Sequence, residues 1–285
     1  MCGSVWAKIP AALITMLLLA AAHVQPGQAT DAEEGLAVPK TAKLPYDNVG
    51  RIEKTAIAEP SGIVYHPGRR TLFVVGDEGH VTEIGLDGRL VQAKHLRYAD
   101  LEGITCNPET GLLYVAVEGD EQILEVDPAT LDITRPFDLP RTWHGDTVLA
   151  SGGQGIEAIT FVPAQGGGGT FYVANQGPKR KSKDDGPGLA EFALPLEGAS
   201  GGEAIMLRWF PMEEPDLAGL AYDPREDRLF VVSDRENLLM VVSREGKIIE
   251  RYHLPGEDQE GIAFDNEGNL YIAQDSGGIL KLVRE

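Results

Sequence analysis

One pattern recurs five times in this chain and limits what it can fold into. A short apolar strand opens at Ser61-Gly62-Ile63, Glu102-Gly103-Ile104, Glu157-Ala158-Ile159, Ala218-Gly219-Leu220 and Glu260-Gly261-Ile262, at spacings of 41, 55, 61 and 42 residues. Each is followed by a second apolar strand: Leu72 to Asp77, Leu113 to Glu118, Phe171 to Gln176, Leu229 to Asp234 and Leu270 to Asp275. A third strand follows, as in His80-Val81-Thr82-Glu83-Ile84, then a turn such as Asp87-Gly88 or Glu245-Gly246, and a fourth strand such as Lys247 to Leu254. Four short strands every ~40 residues is the pattern of a β-propeller blade, a unit that buries its apolar faces only by stacking on neighbours.

The last copy has a third strand, Ile279 to Val283, and then the chain ends; the alternating stretch 49–58 near the start has no blade of its own. Pairing the two leaves no free sheet edge at the seam. The expectation is therefore an all-β, five-bladed propeller over 48–285, with 49–58 as the outermost strand of blade five. A six-bladed ring is the alternative raised by the 55- and 61-residue spacings, whose excess reads as the loops 141–155 and 177–188.

Strands of a blade alternate in direction, so the start of each first strand and the end of each second strand open on one face. That rim gathers Glu102, Glu157 and Glu260 with Asp77, Glu118, Asp234 and Asp275, besides Ser61, Ala218, Asn175 and Gln176. Two carboxylates about 4 Å apart repel by several kcal/mol at intermediate dielectric, so such a ring takes up protons or a cation. An all-oxygen donor set on flexible loops suits Ca²⁺ better than Mg²⁺. The expected ligands are drawn from Glu102, Glu157, Glu260, Asp77, Asp234 and Asp275. The competing role for these acids is structural: capping turn N–H groups, or pairing with arginines such as Arg235.

The first 29 residues carry one charge, Lys8, then an apolar run from Ala11 to Val24 and the small-residue stretch Gly27-Gln28-Ala29. This is the order of a secretory signal, too short to span a bilayer comfortably, and export to the periplasm or outside is expected with cleavage after Ala29. An uncleaved anchor is the alternative. Residues 30–47 read as a polar, flexible leader. Of two cysteines, Cys2 leaves with the signal and Cys106 stays alone in a strand pattern, as a buried small hydrophobe. The formal net charge of −19 repels nucleic acid and anionic lipid, so neither is an expected partner. The mature chain is expected as a monomer.

The loop containing Lys179, Arg180, Lys181 and Lys183 concentrates positive charge in an acidic protein and is a candidate anion-binding element, against the ordinary reading of a solvated loop. Trp143-His144-Gly145-Asp146 is the one place where a histidine and an aspartate could act as acid and base, provided the loop folds over the rim. The glycine-rich stretches 166–169 and 199–202 read as turns or linkers. No Cys-x-x-Cys pair, His-Glu-x-x-His or phosphate-binding glycine loop is present.

The Asp100-Leu101-Glu102-Gly103-Ile104 and Asp258-Gln259-Glu260-Gly261-Ile262 openings and the Leu-Tyr-Val-Ala or Leu-Phe-Val-Val-Ser-Asp second strands resemble the SdiA-regulated propeller family of exported bacterial proteins, over roughly 46–284. More distantly they resemble the β-propeller phytases and calcium-dependent lactonase-type hydrolases, a resemblance that implies metal ions in an acidic channel mouth. Ser61 and Ala218 stand where acids would complete a multi-calcium phytase rim. The expected function is calcium-dependent binding of a ligand or protein partner at the mouth. The alternatives are a metal-dependent phosphoesterase or lactonase, or a scaffold whose acids are structural.

Overall fold

The second strand of each repeat has a run of at least four apolar residues because both of its faces are buried. Phe73 and Val75 pack between blades 1 and 2, while Leu72 and Val74, pointing the other way, pack between blades 1 and 5. The same division holds in blade 3, where Phe171 and Val173 face blade 2, and Tyr172 and Ala174 face blade 4. The core is accordingly five clusters, one per interface between adjacent blades. Each large aliphatic or aromatic side chain buried there contributes about 1.5–3 kcal/mol.

The computed structural model describes residues 38–52, 57–97, 100–150, 152–177 and 186–285. Blade 1 is formed by Pro60–His66, Thr71–Gly76, His80–Ile84 and Leu90–His95. Blade 2 comprises Leu101–Cys106, Leu113–Val117, Gln122–Val126 and Ile133–Asp138. Blade 3 comprises Ile156–Pro163, Gly169–Asn175, Gly188–Ala193 and Ile205–Pro211, and blade 4 Leu217–Asp223, Arg228–Ser233, Leu238–Val242 and Ile248–His253. Blade 5 is Gln259–Phe264, Leu270–Gln274 and Ile279–Arg284, completed by Tyr46–Ile52 from the start of the domain. The first strands touch in sequence and the fifth touches the first, closing a five-bladed β-propeller.

The closing strand pairs antiparallel with the last, Tyr46 opposite Arg284 and Ile52 opposite Ile279. It starts earlier than the 49–58 expected from alternation and is described as far as Ile52, since 53–56 lie outside the described residues. Ahead of it, Thr41–Lys43 adds a parallel strand to the outer edge of blade 4. The segment read as a flexible leader is thus ordered in its last residues, because Thr41–Lys43 satisfies backbone groups that the edge of blade 4 would leave open. Blade 2 gains a comparable parallel edge from Gly202–Glu203 in the blade 3 linker. That linker, with a two-stranded hairpin of Thr142–Trp143 and Asp146–Thr147, accounts for long spacing without a sixth blade. Among the described residues no helix is long and apolar enough to cross a membrane. The signal and its cleavage point fall outside those residues.

The second residue of each repeat explains its glycine. A Cβ on Gly62 would stand 2.1 Å from the Glu102 carbonyl oxygen, on Gly103 2.5 Å from Ile159 N, on Gly219 2.3 Å from the Glu260 carbonyl oxygen, and on Gly261 2.7 Å from Ile63 N. At these four positions the innermost strands of neighbouring blades approach too closely for a side chain, whereas the third repeat accommodates Ala158. Two residues into each strand, Ile63, Ile104, Ile159, Leu220 and Ile262 meet across the axis and leave a space of about 10 Å³. They narrow the channel between its two mouths to that space.

Candidate metal site at the acidic mouth

The mouth is built from three registers of the repeat. In blades 2, 4 and 5 the end of the second strand is fixed to the residue two places before the rim position of the same repeat: Glu118 N donates to the Asp100 carbonyl oxygen at 3.0 Å, Asp234 N to that of Asp216 at 3.1 Å, and Asp275 N to that of Asp258 at 3.0 Å. These backbone bonds make each hairpin open at one end, so its acids are neighbours. Asp216 and Asp258 adopt φ of 61° and 58° at this junction, a left-handed conformation that aspartate tolerates better than most side chains.

Glu102 and Glu157 are each 8% exposed. Burial, followed by Glu157, Asp77 and Asp100, holds the Glu102 carboxyl well above the usual carboxylate range. Glu157 is raised in the same way by burial and by Glu118, and lies within hydrogen-bonding reach of both Glu118 and Glu102. Glu260 is pushed up to about 9 by burial and then by Asp234, Asp275, Asp216 and Asp77. Asp100, Glu118, Asp234 and Asp275 are also raised, burial being the first cause in each. The dominant influences on these groups are desolvation and like charge, so the mouth holds protons that a bound cation would replace.

Donor geometry selects among the acids. Asp77, Asp100 and Glu102 bring carboxylate oxygens within 4.8 Å of one another, and so do Glu59, Asp77 and Asp275. Asp77 belongs to both sets, and Ser61 Oγ donates to its Oδ1 at 2.5 Å. Of the six expected ligands, Asp77, Glu102 and Asp275 fall in these trios, whereas Glu157, Glu260 and Asp234 do not. Asp234 instead accepts from Gln259 N at 2.8 Å, and Glu118 accepts from Gly155 N at 2.7 Å. Arg235 approaches Asp216 at 3.8 Å. Capping therefore describes some of these acids and not others.

Glu59 and Asp100 were not among the expected ligands. Both sit two residues before a rim position, a register shared by Glu59, Asp100, Gly155, Asp216 and Asp258, which aligning all five repeats there exposes. Lys179, Arg180, Lys181 and Lys183 lie outside the described residues. The Trp143-to-Asp146 hairpin touches the outermost strand of blade 3, with Trp143 packed on the core between blades 2 and 3. The indole finds apolar cover there, and the His144 ring packs against it at 4.3 Å between centroids. Gly198-Ala199-Ser200-Gly201-Gly202 matches the Gly-x-Ser-x-Gly spacing of a nucleophile elbow. It runs between strands in the blade 3 linker with no helix after it, so it lacks the strand-to-helix turn that motif needs.

No curated protein matches the chain. Among solved structures, the glutaminyl cyclase of Myxococcus xanthus is similar with a TM-score of 0.60 at 12% identity, over 86% of this chain and 98% of that one. The hydrazine synthase of Kuenenia stuttgartiensis gives 0.46 at 12% identity, over 81% and 97%. The first of these likenesses is one of propeller fold. The SdiA-regulated family model matches residues 209–277. A second model, described as the esterase-like activity of phytase, matches residues 55–204, which include Glu59, Asp77, Asp100 and Glu102. By that match over more than half of its length, this propeller belongs to the Phytase-like family.

Proposed function

We propose that the acidic mouth binds Ca²⁺ and that the protein is an exported, calcium-dependent esterase acting on phosphate esters. The observation that carries this reading is the pair of carboxylate trios sharing Asp77. The donors fit the ion. Ca²⁺ takes oxygens at about 2.3–2.6 Å, so two of its ligands are separated by up to ~5 Å, which accommodates sets whose oxygens lie within 4.8 Å of one another. Asp77, Asp100 and Glu102 would hold one ion and Glu59, Asp77 and Asp275 a second. Calcium bound there would supply Lewis-acid stabilisation of charge developing on a phosphoryl oxygen. Glu102 is fixed by the inner strand of blade 2, a rigid placement, while Ser61 orients Asp77. The ring of Ile63, Ile104, Ile159, Leu220 and Ile262 floors the site, so substrate enters and leaves by the same mouth.

A second reading, calcium-dependent binding of a ligand or protein partner without turnover, is favoured by the exposure of Glu59, Asp77 and Asp275. An ion on that trio faces solvent and can be shared with a partner's oxygens. Calorimetry of the metal-stripped full chain with CaCl₂, followed by assays on p-nitrophenyl phosphate, phytate and a lactone panel, separates the two. Heat and calcium-dependent phosphate release support the esterase; heat without turnover supports the binding module; no heat at millimolar calcium overturns both.

A further inference from the structure

The far mouth of the channel carries a second cavity, of about 390 Å³, at the end where the first strands finish. Its floor is the underside of the aliphatic ring that narrows the channel. Its walls are the next channel-facing tier of the same five strands: Tyr65, Cys106, Phe161, Tyr222 and Phe264. Sheet periodicity places these residues two positions beyond the aliphatic ring, so repeat and alternation together build an aromatic well. Its size lies within the range of small-molecule sites, about 300–1,000 Å³.

The charged groups at the well are already engaged. Arg225 donates through Nε and a terminal nitrogen to the two carboxylate oxygens of Asp223, at 2.9 and 2.8 Å. Asp265 Oδ1 accepts from the backbone nitrogens of Glu267 and Asn269, both at 2.9 Å, and its Oδ2 from Asn269 Nδ2 at 2.8 Å and Tyr271 Oη at 3.2 Å. The Tyr222 hydroxyl is turned away to Asp227 at 2.8 Å. An ionic ligand would find no free counter-charge among these groups and would lose its hydration on entering. An uncharged ring system finds Tyr65, Phe161, Tyr222 and Phe264 around one space, with the polar residues Thr105, Thr160 and Asn266 also lining it.

We infer that this well is a second binding site, independent of the acidic mouth, for a neutral, largely apolar small molecule of two or three rings. The aliphatic ring leaves only about 10 Å³ beneath the well, too little for such an occupant to pass, so it neither reaches nor requires the calcium site.

Titration with N-phenyl-1-naphthylamine, a neutral fluorescent probe of this class, tests the inference on the full chain. Saturable enhancement with one probe per chain is expected, unchanged by calcium and by Asp77→Asn. Cys106 is 8% exposed and lines the well, so Cys106→Trp fills it and should weaken binding at least ~10-fold. A variant-free measurement guards against misfolding of that protein. Burial pushes the Cys106 thiol up to about 12, so its modification by methyl methanethiosulfonate at pH 9 is slow, and saturating probe should slow it further, read at Cys106 by peptide mass mapping. Unsaturable fluorescence, or saturable binding that leaves Cys106 unprotected, overturns the proposal. So does unchanged affinity in a folded Cys106→Trp protein.

Discussion

Ser61 Oγ donates a 2.5 Å hydrogen bond to Asp77 Oδ1, joining the start of the first strand of blade 1 to the end of its second. The serine stands where three other repeats carry a glutamate, and it orients the one carboxylate common to both candidate calcium trios. Replacing an acid at this rim position with a hydroxyl therefore removes a charge from the ring and adds a positioning donor.

Asp77→Asn is expected to lower calcium affinity on the order of 100-fold, because it removes one negative ligand from both trios. Ser61→Ala should have a smaller effect, roughly 10-fold, in the range seen when the partner that orients a metal ligand is lost. Calorimetric titration with calcium measures both. Glu236→Gln, on the turn after Asp234 and absent from either trio, should leave the titration unaltered.

The glycine of the inner strands gives a prediction about the ring itself. Gly103→Ala places a methyl 2.5 Å from Ile159 N and 2.7 Å from Ala158 Cα, both backbone atoms of the next blade, so relief requires the blades to part. A loss of at least ~2 kcal/mol is expected, in line with overpacking at a rigid contact. Gly153→Ala, whose added carbon would meet only Glu118 Oε2 at 3.8 Å, should stay within about 0.5 kcal/mol. Urea melts of the two variants against the parent decide the matter.

The fold was legible because the blade repeats a pattern that few architectures use, and because the missing fourth strand of the last copy had one possible donor near the start of the chain. Which acids converge was less legible. Glu102 and Asp77 lie on the rim registers that alternation marks, but Asp100 and Glu59 lie on a third register that only backbone bonding of each hairpin brings inward. Asp234 occupies the same register as Asp77 and Asp275, yet it accepts a backbone N–H from Gln259. Sequence spacing does not distinguish a carboxylate that faces an axis from one turned back on a neighbouring loop. Nothing in the repeat pattern marks Tyr65, Phe161 and Phe264 as a set; only the placement of five strands gathers them around one space.

Away from both mouths, the blades use acids in the opposite electrostatic sense. Glu125 is 2% exposed and accepts from Arg135 Nε at 2.8 Å, Thr134 Oγ1 at 2.6 Å and Tyr114 Oη at 2.9 Å. Although burial is the largest influence and opposes ionisation, the hydrogen bonds and the Arg135 charge together bring its pKa below the usual carboxylate value. Glu83 of blade 1 and Glu191 of blade 3 are paired similarly, with Arg69 and Arg208. Arg135→Ala is expected to cost about 3–5 kcal/mol, since it strands a buried carboxylate. Adding Glu125→Leu to Arg135→Leu should recover part of this loss, measured in a double-mutant cycle by chemical denaturation.

The two classes of acid predict an unusual pH profile for the metal-free protein. Glu260 is moved from 4.5 to about 9 in the folded state, and Glu102 and Glu157 move in the same direction, each led by burial. At pH 7 the folded chain then retains protons that the unfolded chain releases, so unfolding is increasingly favoured as pH rises. The stability that Glu260 allows is fully present below pH 4.5 and drains away up to about pH 9, with a limiting slope of about 1.4 kcal/mol per pH unit, and Glu102 and Glu157 add to the decline in the same direction. Glu83, Glu125 and Asp223, whose values are lowered, act oppositely and lose their contribution only as pH falls through the acid range. Thermal melts in chelator should therefore show a maximum Tm near pH 5 and a decline toward pH 9. Glu260→Gln should raise stability at pH 8 and flatten the decline, and saturating calcium should do the same to the parent protein by supplying the positive charge that protons provide at low pH. A metal-free Tm that climbs between pH 5 and pH 9 would show that the mouth carboxylates are ionised and compensated from within the fold.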